Sequence, residues 1–186
     1  MVTHAYNRAM LSTDASIPVD TPGEYAQGLL DHLGVRDPLA VMEASIADLG
    51  ALFDGLDDAT IRRPEAPGKW SMIEVAHHLA DSDMVAGVRV RMIVAQDRPP
   101  IVAYDQELWA GKLHYRDAAL ADVLSQFGVL RAANIRLARK LTAEELKRVG
   151  IHSERGAESA GYLLRLVAGH DIVHLNQLAR IRRAVS

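Results

Sequence analysis

Cysteine is absent from the 186 residues. That excludes a disulfide framework, a thiolate metal cage and a protein thiol nucleophile. Any sulfur chemistry would need a thiol brought in from outside. No apolar run approaches the length of a membrane span, and the N-terminus lacks the charged and apolar regions of a signal peptide. The cytoplasm is therefore the expected location. The net charge is −3 with no basic face and no long block of like charge, so neither nucleic acid nor a membrane surface is an expected partner. Repeats and low-complexity tracts are also missing. What is present is ordinary for a globular protein, 49% hydrophobic and 24% charged residues. The length suits one domain, residues 1–186, with a substantial core.

Helical periodicity dominates. Residues 1–20 carry only weak periodicity and end in Ser16-Ile17-Pro18-Val19-Asp20, which reads as a mobile arm. Thr21-Pro22-Gly23-Glu24 has the form of a capping box with proline in the first turn, so a short helix is expected up to Gly34. Asp37-Pro38 opens the first long helix. Its stripe is Leu39, Met42, Ile46, Leu49, Phe53 and Leu56, and it ends near Gly55. Asp57 to Ile61 adds one turn. Trp70 precedes a second capping box, Ser71 to Glu74, and a long helix over 72–96 that Arg98-Pro99-Pro100 ends. Residues 101–116 hold Tyr104, Trp109 and Tyr115 among polar groups. They read as a long crossover with a short helix near 105–112, and a connection of that length is often functional. Asp117 then caps a third long helix with the stripe Leu120, Leu124, Phe127, Leu130, Asn134, Leu137 and Leu141. Thr142 to Glu145 caps a further short helix, 150–156 is a polar loop, and a fourth long helix spans 157–183. Four long amphipathic helices and one crossover predict an all-α four-helix bundle, with the bundle proper over about 37–183.

The fourth helix carries Gly169-His170-Asp171-Ile172-Val173-His174. Two histidines four apart lie on one face of a helix, about one turn from each other. This is a common way for one helix to offer two ligands to one metal ion. Their ridge also holds Leu163, Val167, Leu178 and Ile181, so both rings point inward. With eight histidines in the chain, one such pair can arise by chance and the spacing alone does not establish a site. The motif is one methylene short of the zinc-protease His-Glu-x-x-His. That alternative fails downstream, because the last twelve residues contain no His, Asp, Glu or Cys. A third ligand must come from earlier in the chain. His77 and His78 on the second long helix are both available, and they point about 100° apart. His78 shares a ridge with Ser82, Val85, Arg89 and Met92, and His77 shares one with Met84 and Val88. Periodicity does not choose between them.

Lys69-Trp70-Ser71, then His78-Leu79-Ala80-Asp81, then His170 and His174 followed by Gln177, together resemble the DinB-like (YfiT-type) metal-binding proteins. The resemblance implies an up-down four-helix bundle with one long crossover, homodimer formation, and one divalent metal held by three histidines at one end of the bundle. The His-Leu-x-Asp match selects His78, so the implied ligands are His78, His170 and His174. Asp83 stands where the family pattern often has glutamate. Three imidazoles leave open coordination positions, the layout of a catalytic rather than a structural site. Imidazole suits zinc, nickel, iron and copper alike, and zinc or nickel is the expected ion. Asp81 and Asp171 are candidates either to orient the rings or to act as a general base.

The resemblance implies three functional expectations. In the first, the protein is a metal-dependent S-transferase using a low-molecular-weight thiol, as in the bacillithiol-dependent and, more distantly, the mycothiol-dependent relatives. Arg89, Arg131, Asn134 and Gln177 would then contact the thiol or a small-molecule acceptor. In the second it is a hydrolase using metal-bound water. In the third it is a non-catalytic metal-binding or stress-response protein. Trp109, Tyr115, His152, Glu154 and Arg155 are candidates for the mouth of the site, and Trp70 reads as a packing anchor at its helix start.

Overall fold

The computed structural model describes residues 19–186. Its long helices are α2 (Pro38–Ala51), α4 (Met72–Ala95), α6 (Leu120–Ala138) and α8 (Ala160–Val185), and they form the four-helix bundle. The shorter helices are α1 (Glu24–Leu33), α3 (Asp58–Ile61), α5 (Gln106–Lys112) and α7 (Ala143–Leu146), with a 3-10 turn at Tyr115–Asp117. The core falls into two halves. Leu49 and Phe53 of α2 meet the start of α4 (Met72 to Ala80), the start of α6 (Val123, Phe127) and the end of α8 (Leu178, Ile181). Met42 meets the end of α4 (Val90, Ile93), the end of α6 (Ile135, Ala138) and the start of α8 (Ala160 to Ala168). Thus α2 and α8 run one way, and α4 and α6 the other. Two consecutive helices in the same direction need a connection that returns along the bundle, which is the work of the crossover over residues 96–119.

Local chemistry explains most of the boundaries. Asp37 caps α2 with Pro38 behind it, and Ser71 and Glu74 form a reciprocal capping box on α4. Thr142 and Glu145 do the same for α7. The expected box at Thr21 does not form. Helix α1 starts at Glu24, with Gly23 as an N-cap that offers no side chain. The entering chain is held elsewhere: Val19 pairs with Ala157, and the Asp20 carboxylate accepts from Ser159 N (2.6 Å) and Oγ (2.7 Å). Val19 and Asp20 are therefore docked, whereas the rest of the expected arm, residues 1–18, lies outside the described residues.

Three further expectations change. The 150–156 loop is a small sheet in which β2 (Val149–His152) pairs antiparallel with β3 (Gly156–Ser159) and parallel with β1 (Pro100–Ile101). Strands this short carry too little alternation to show in a sequence, and α8 accordingly begins at 160 rather than 157. Asp117 belongs to the 3-10 turn and does not cap α6, whose N-cap is Ala119. The buried faces of α2 and α6 are also rotated from their apolar stripes. Ile46 is exposed while Ser45 is buried, and Arg131 is 1% exposed at the centre of α6. A buried ionic network, described below, puts polar residues where leucine periodicity would put apolar ones.

Helix α1 lies along α8 at a contact that only glycine permits. A Cβ on Gly169 would sit 2.2 Å from the Leu29 carbonyl oxygen, well inside contact distance. The residue next to it is His170, so this close approach also sets where α8 presents its histidines.

Candidate metal centre

His78, His170 and His174 come together, and one ring nitrogen from each lies within 4.8 Å of the others. Their ring centroids are 4.3 to 5.0 Å apart. His78 Nε2 is 3.1 Å from His170 Nε2. His77 points away and stacks on Tyr115, with centroids 4.1 Å apart. The antiparallel α4 and α8 thus bring residues separated by more than ninety positions to one point, with two ligands a turn apart on α8.

Burial sets the protonation state. Burial, with His174 adding to it, pushes the His78 pKa down to about 3. His170 is likewise held well below the ordinary histidine value, by burial and then by the two neighbouring rings. Burial lowers His174, and its bond to Gln177 opposes this. Neutral imidazoles carry a free lone pair, the form that binds a metal. His174 Nδ1 is 2.7 Å from the side-chain oxygen of Gln177. An amide oxygen only accepts, so the proton is on Nδ1 and the Nε2 lone pair is free. The residues present therefore fit a divalent cation.

Neither candidate carboxylate serves these rings. Asp81 accepts from Tyr115 Oη at 2.6 Å and from Gln126 Nε2 at 3.1 Å, so Tyr115 is a buried partner of Asp81 rather than a residue of the mouth. Asp171 is engaged by both terminal nitrogens of Arg131, at 3.0 Å for Nη2 and closer for Nη1. Arg131 and Asn134, expected to contact ligand, are locked in the same network. Arg131 Nε donates to Asp83 at 3.0 Å and Nη1 to Ser45 at 2.8 Å. Asn134 donates to Asp83 and accepts from Arg91. Asp83 and Asp171 thus share the one Arg131 guanidinium beside His170. Burial pushes the Asp83 and Asp171 carboxyls up while Arg131 pulls them down. The sequence reading found these residues singly, but nothing in their spacing revealed that they bond to one another.

A cavity of about 610 Å³ opens on His170. Its wall includes Ser82, Arg89, Tyr104, Glu107, His152, Glu154 and Arg155, with Leu79, Leu163 and Leu166 behind. Of the residues expected at the mouth, His152, Glu154 and Arg155 do line it. Trp109 stands one layer back, its ring 4.5 Å from Tyr104. Sequence reasoning missed the hydroxyl pair beside the metal position: Ser82 Oγ is 3.4 Å from His78 Nε2 and 2.9 Å from Tyr104 Oη. Ser82, one turn after His78, was detectable, whereas Tyr104 arrives on the crossover and was not. Trp70 also does more than anchor a helix. It packs 5.1 Å from the His78 ring, and its Nε1 donates to Glu107 at 3.0 Å.

A family model for the DinB superfamily matches residues 42–178. This chain belongs to the DinB superfamily. It is 28% identical over 179 residues to "Putative metal-dependent hydrolase YfiT" of Bacillus subtilis, covering 92% of this chain and 97% of that one. A similarly named protein of Geobacillus kaustophilus is 28% identical over 155 residues, 80% of this chain and 84% of its own. The solved structure of the Bacillus subtilis YfiT protein, described as an unusual four-helix bundle, superposes with a TM-score of 0.69 at 24% identity. That match covers 88% of this chain and 91% of the other. No described helix of this chain is long and apolar enough to cross a membrane.

Proposed function

We propose that this protein holds one divalent ion, zinc or nickel, through His78, His170 and His174, and uses it to activate a low-molecular-weight thiol for transfer to a small electrophile. The observation that carries the reading is the group of three neutral imidazoles with His170 on the cavity wall and with the two neighbouring aspartates, Asp81 and Asp171, bonded to other side chains. When bound, the ion lowers the pKa of a thiol or water ligand toward neutrality. A thiol ionised in this way needs no protein base, and Asp81 and Asp171 are both committed elsewhere. The absence of cysteine agrees with a thiol that comes from solution. In the transfer, the thiol's proton leaves to solvent through the cavity mouth. Sulfur then forms a bond to the electrophilic carbon while the bond to the leaving group breaks, and the leaving group takes the electron pair. Gln177 fixes the His174 ring. Burial raises the Tyr104 phenol, with Ser82 and Arg89 opposing this, so Tyr104 keeps its proton and can donate it to charge developing on the leaving group.

The second reading is metal-assisted hydrolysis. The names of the relatives favour it, and the Ser82–Tyr104 hydroxyl pair can position a water.

One experiment separates the two. Untagged protein is analysed for metal, loaded with cobalt, and titrated with small thiols while the visible spectrum is followed. About one metal per chain and a sulfur-to-cobalt charge-transfer band support S-transfer. A full metal site that stays spectrally silent toward thiols leaves hydrolysis. No metal in the wild type, and none after reconstitution, sinks both readings.

A further inference from the structure

We propose that the cavity contains a carboxylate-binding subsite, away from the histidine trio, whose donors are the Arg89 guanidinium and the His152 Nε2–H. The proposal deepens the reading of this cavity as a small-molecule site and rests on that reading.

Arg89 and His78 lie on the same ridge of α4. Eleven residues separate them, about 16 Å of helical rise. Arg89 lines the cavity, and so does His170, which meets His78 at 3.1 Å, so Arg89 and the histidine group mark two ends of one elongated space. Among the described residues Arg89 makes a single side-chain hydrogen bond, from Nη2 to the Val102 carbonyl at 2.7 Å, and it stands 5.9 Å from the Tyr104 ring centre. Among the described residues it forms no ion pair. A half-buried guanidinium has five N–H donors to satisfy, and here most are unused. Burial and the nearby Arg155 work against its charge, and Tyr104, Glu158 and Glu154 only partly offset them.

His152 supplies the second, independent observation. It is 2% exposed and lines the same cavity. Its Nδ1 accepts from the backbone N–H groups of Glu154 (3.1 Å) and Arg155 (3.3 Å). The ring proton is therefore on Nε2, which has no partner. A buried N–H without an acceptor is costly, and a carboxylate oxygen that reaches it through a small shift of the wall would relieve that cost.

The local charge selects the ligand class. Of the other two cations of this wall, Arg131 is paired with Asp83 and Asp171, and Arg155 is held by both oxygens of Glu158, at 2.8 Å for Nη2. His152 is neutral, its pKa pushed down to about 4 by burial and by Arg155. Among the described residues Arg89 is thus the one cation of the wall without a carboxylate partner, and Asp105, Glu107 and Glu154 on the wall repel a second negative charge. A monoanionic carboxylate fits this balance, and a dianionic phosphate does not. The ligand is then an elongated molecule with a carboxylate at one end and the group that meets the metal at the other.

The test is made without metal. Hexanoate, hexanol and hexyl phosphate are titrated by calorimetry into chelator-treated wild type, Arg89→Gln, Arg89→Lys and His170→Ala, with circular dichroism melts of each. We expect hexanoate to bind at least about tenfold tighter than hexanol, about 1.4 kcal/mol, in wild type and in His170→Ala. Arg89→Gln should erase the preference, and Arg89→Lys should retain part of it. If Arg89→Gln does not fold, a weakened preference in Arg89→Lys carries the support, and an unchanged one overturns the proposal. Equal binding of hexanoate and hexanol in wild type, or a preference untouched by Arg89→Gln, also overturns it. Tighter binding of hexyl phosphate than of hexanoate overturns the carboxylate assignment. Failure of the metal reading would appear separately, as wild-type protein without metal, and would leave these titrations interpretable.

Discussion

His174 donates its Nδ1–H to the Gln177 side-chain oxygen at 2.7 Å, one turn further along α8. This bond fixes the tautomer that frees Nε2. Gln177→Leu should therefore weaken divalent metal binding by roughly 10–100-fold, read by competition with a chelating dye, while the melting temperature of the metal-free protein barely moves. Gln177→Glu keeps an acceptor in place and should retain affinity. Equal affinities in wild type and Gln177→Leu would show that the ring needs no such partner.

Removing the metal should lower thermal stability. An ion present at about a hundred times its Kd contributes about 2.7 kcal/mol, or roughly 5–11 °C in a chain of this size. Chelator should abolish that difference in the wild type and have no effect on His78→Ala, His170→Ala or His174→Ala. A wild-type melt that ignores both metal and chelator would contradict the three-histidine site.

Arg131 lies between Asp83 and Asp171 with almost no exposure. Arg131→Met leaves two buried carboxylates without a cation. The expected loss is about 3–5 kcal/mol in urea unfolding at pH 7, shrinking at lower pH as the carboxyls take up protons. A loss under 1 kcal/mol would mean that the network is not held by its charge.

His152 gives a pH signature. Its folded pKa is about 4 and an unfolded histidine titrates near 6.5. Between those values unfolding takes up a proton at this ring. Its contribution is complete above pH 6.5 and is lost as the pH falls toward 4, with a slope of at most about 1.4 kcal/mol per pH unit. His152→Asn should flatten the stability curve in that window. A curve of unchanged slope would place this titration elsewhere.

Gly169→Ala drives a methyl group into the Leu29 carbonyl. Since α1 must move away, the expected cost is about 1–3 kcal/mol, and the histidine on the next residue should shift with it. A neutral substitution would show that α1 is loosely held.

The sequence made the four long helices legible because their start signals are chemical and local: Asp37 before Pro38, and Ser71 paired with Glu74. It made the histidine trio legible through a combination of spacing and family pattern. It could not reveal the Arg131 network, since a buried charge is visible only through partners brought from α2, α4 and α8. Read from spacing, Arg131 and Asn134 are ligand contacts; in the structure both bond to Asp83. The hairpin at 149–159 was hidden by its shortness, and Tyr104 by its place on a crossover that has no periodicity to read.

That crossover has a consequence for how new specificities can arise. The three histidines sit on continuous helices locked into the core, whereas Tyr104 and Glu107 reach the cavity from the return segment between α4 and α6. The histidine group and one part of the cavity wall are therefore carried by separately replaceable parts of the chain. Exchanging residues 102–114 alone should change which molecules enter while leaving the histidine geometry as it is, so one bundle can be retargeted without being refolded.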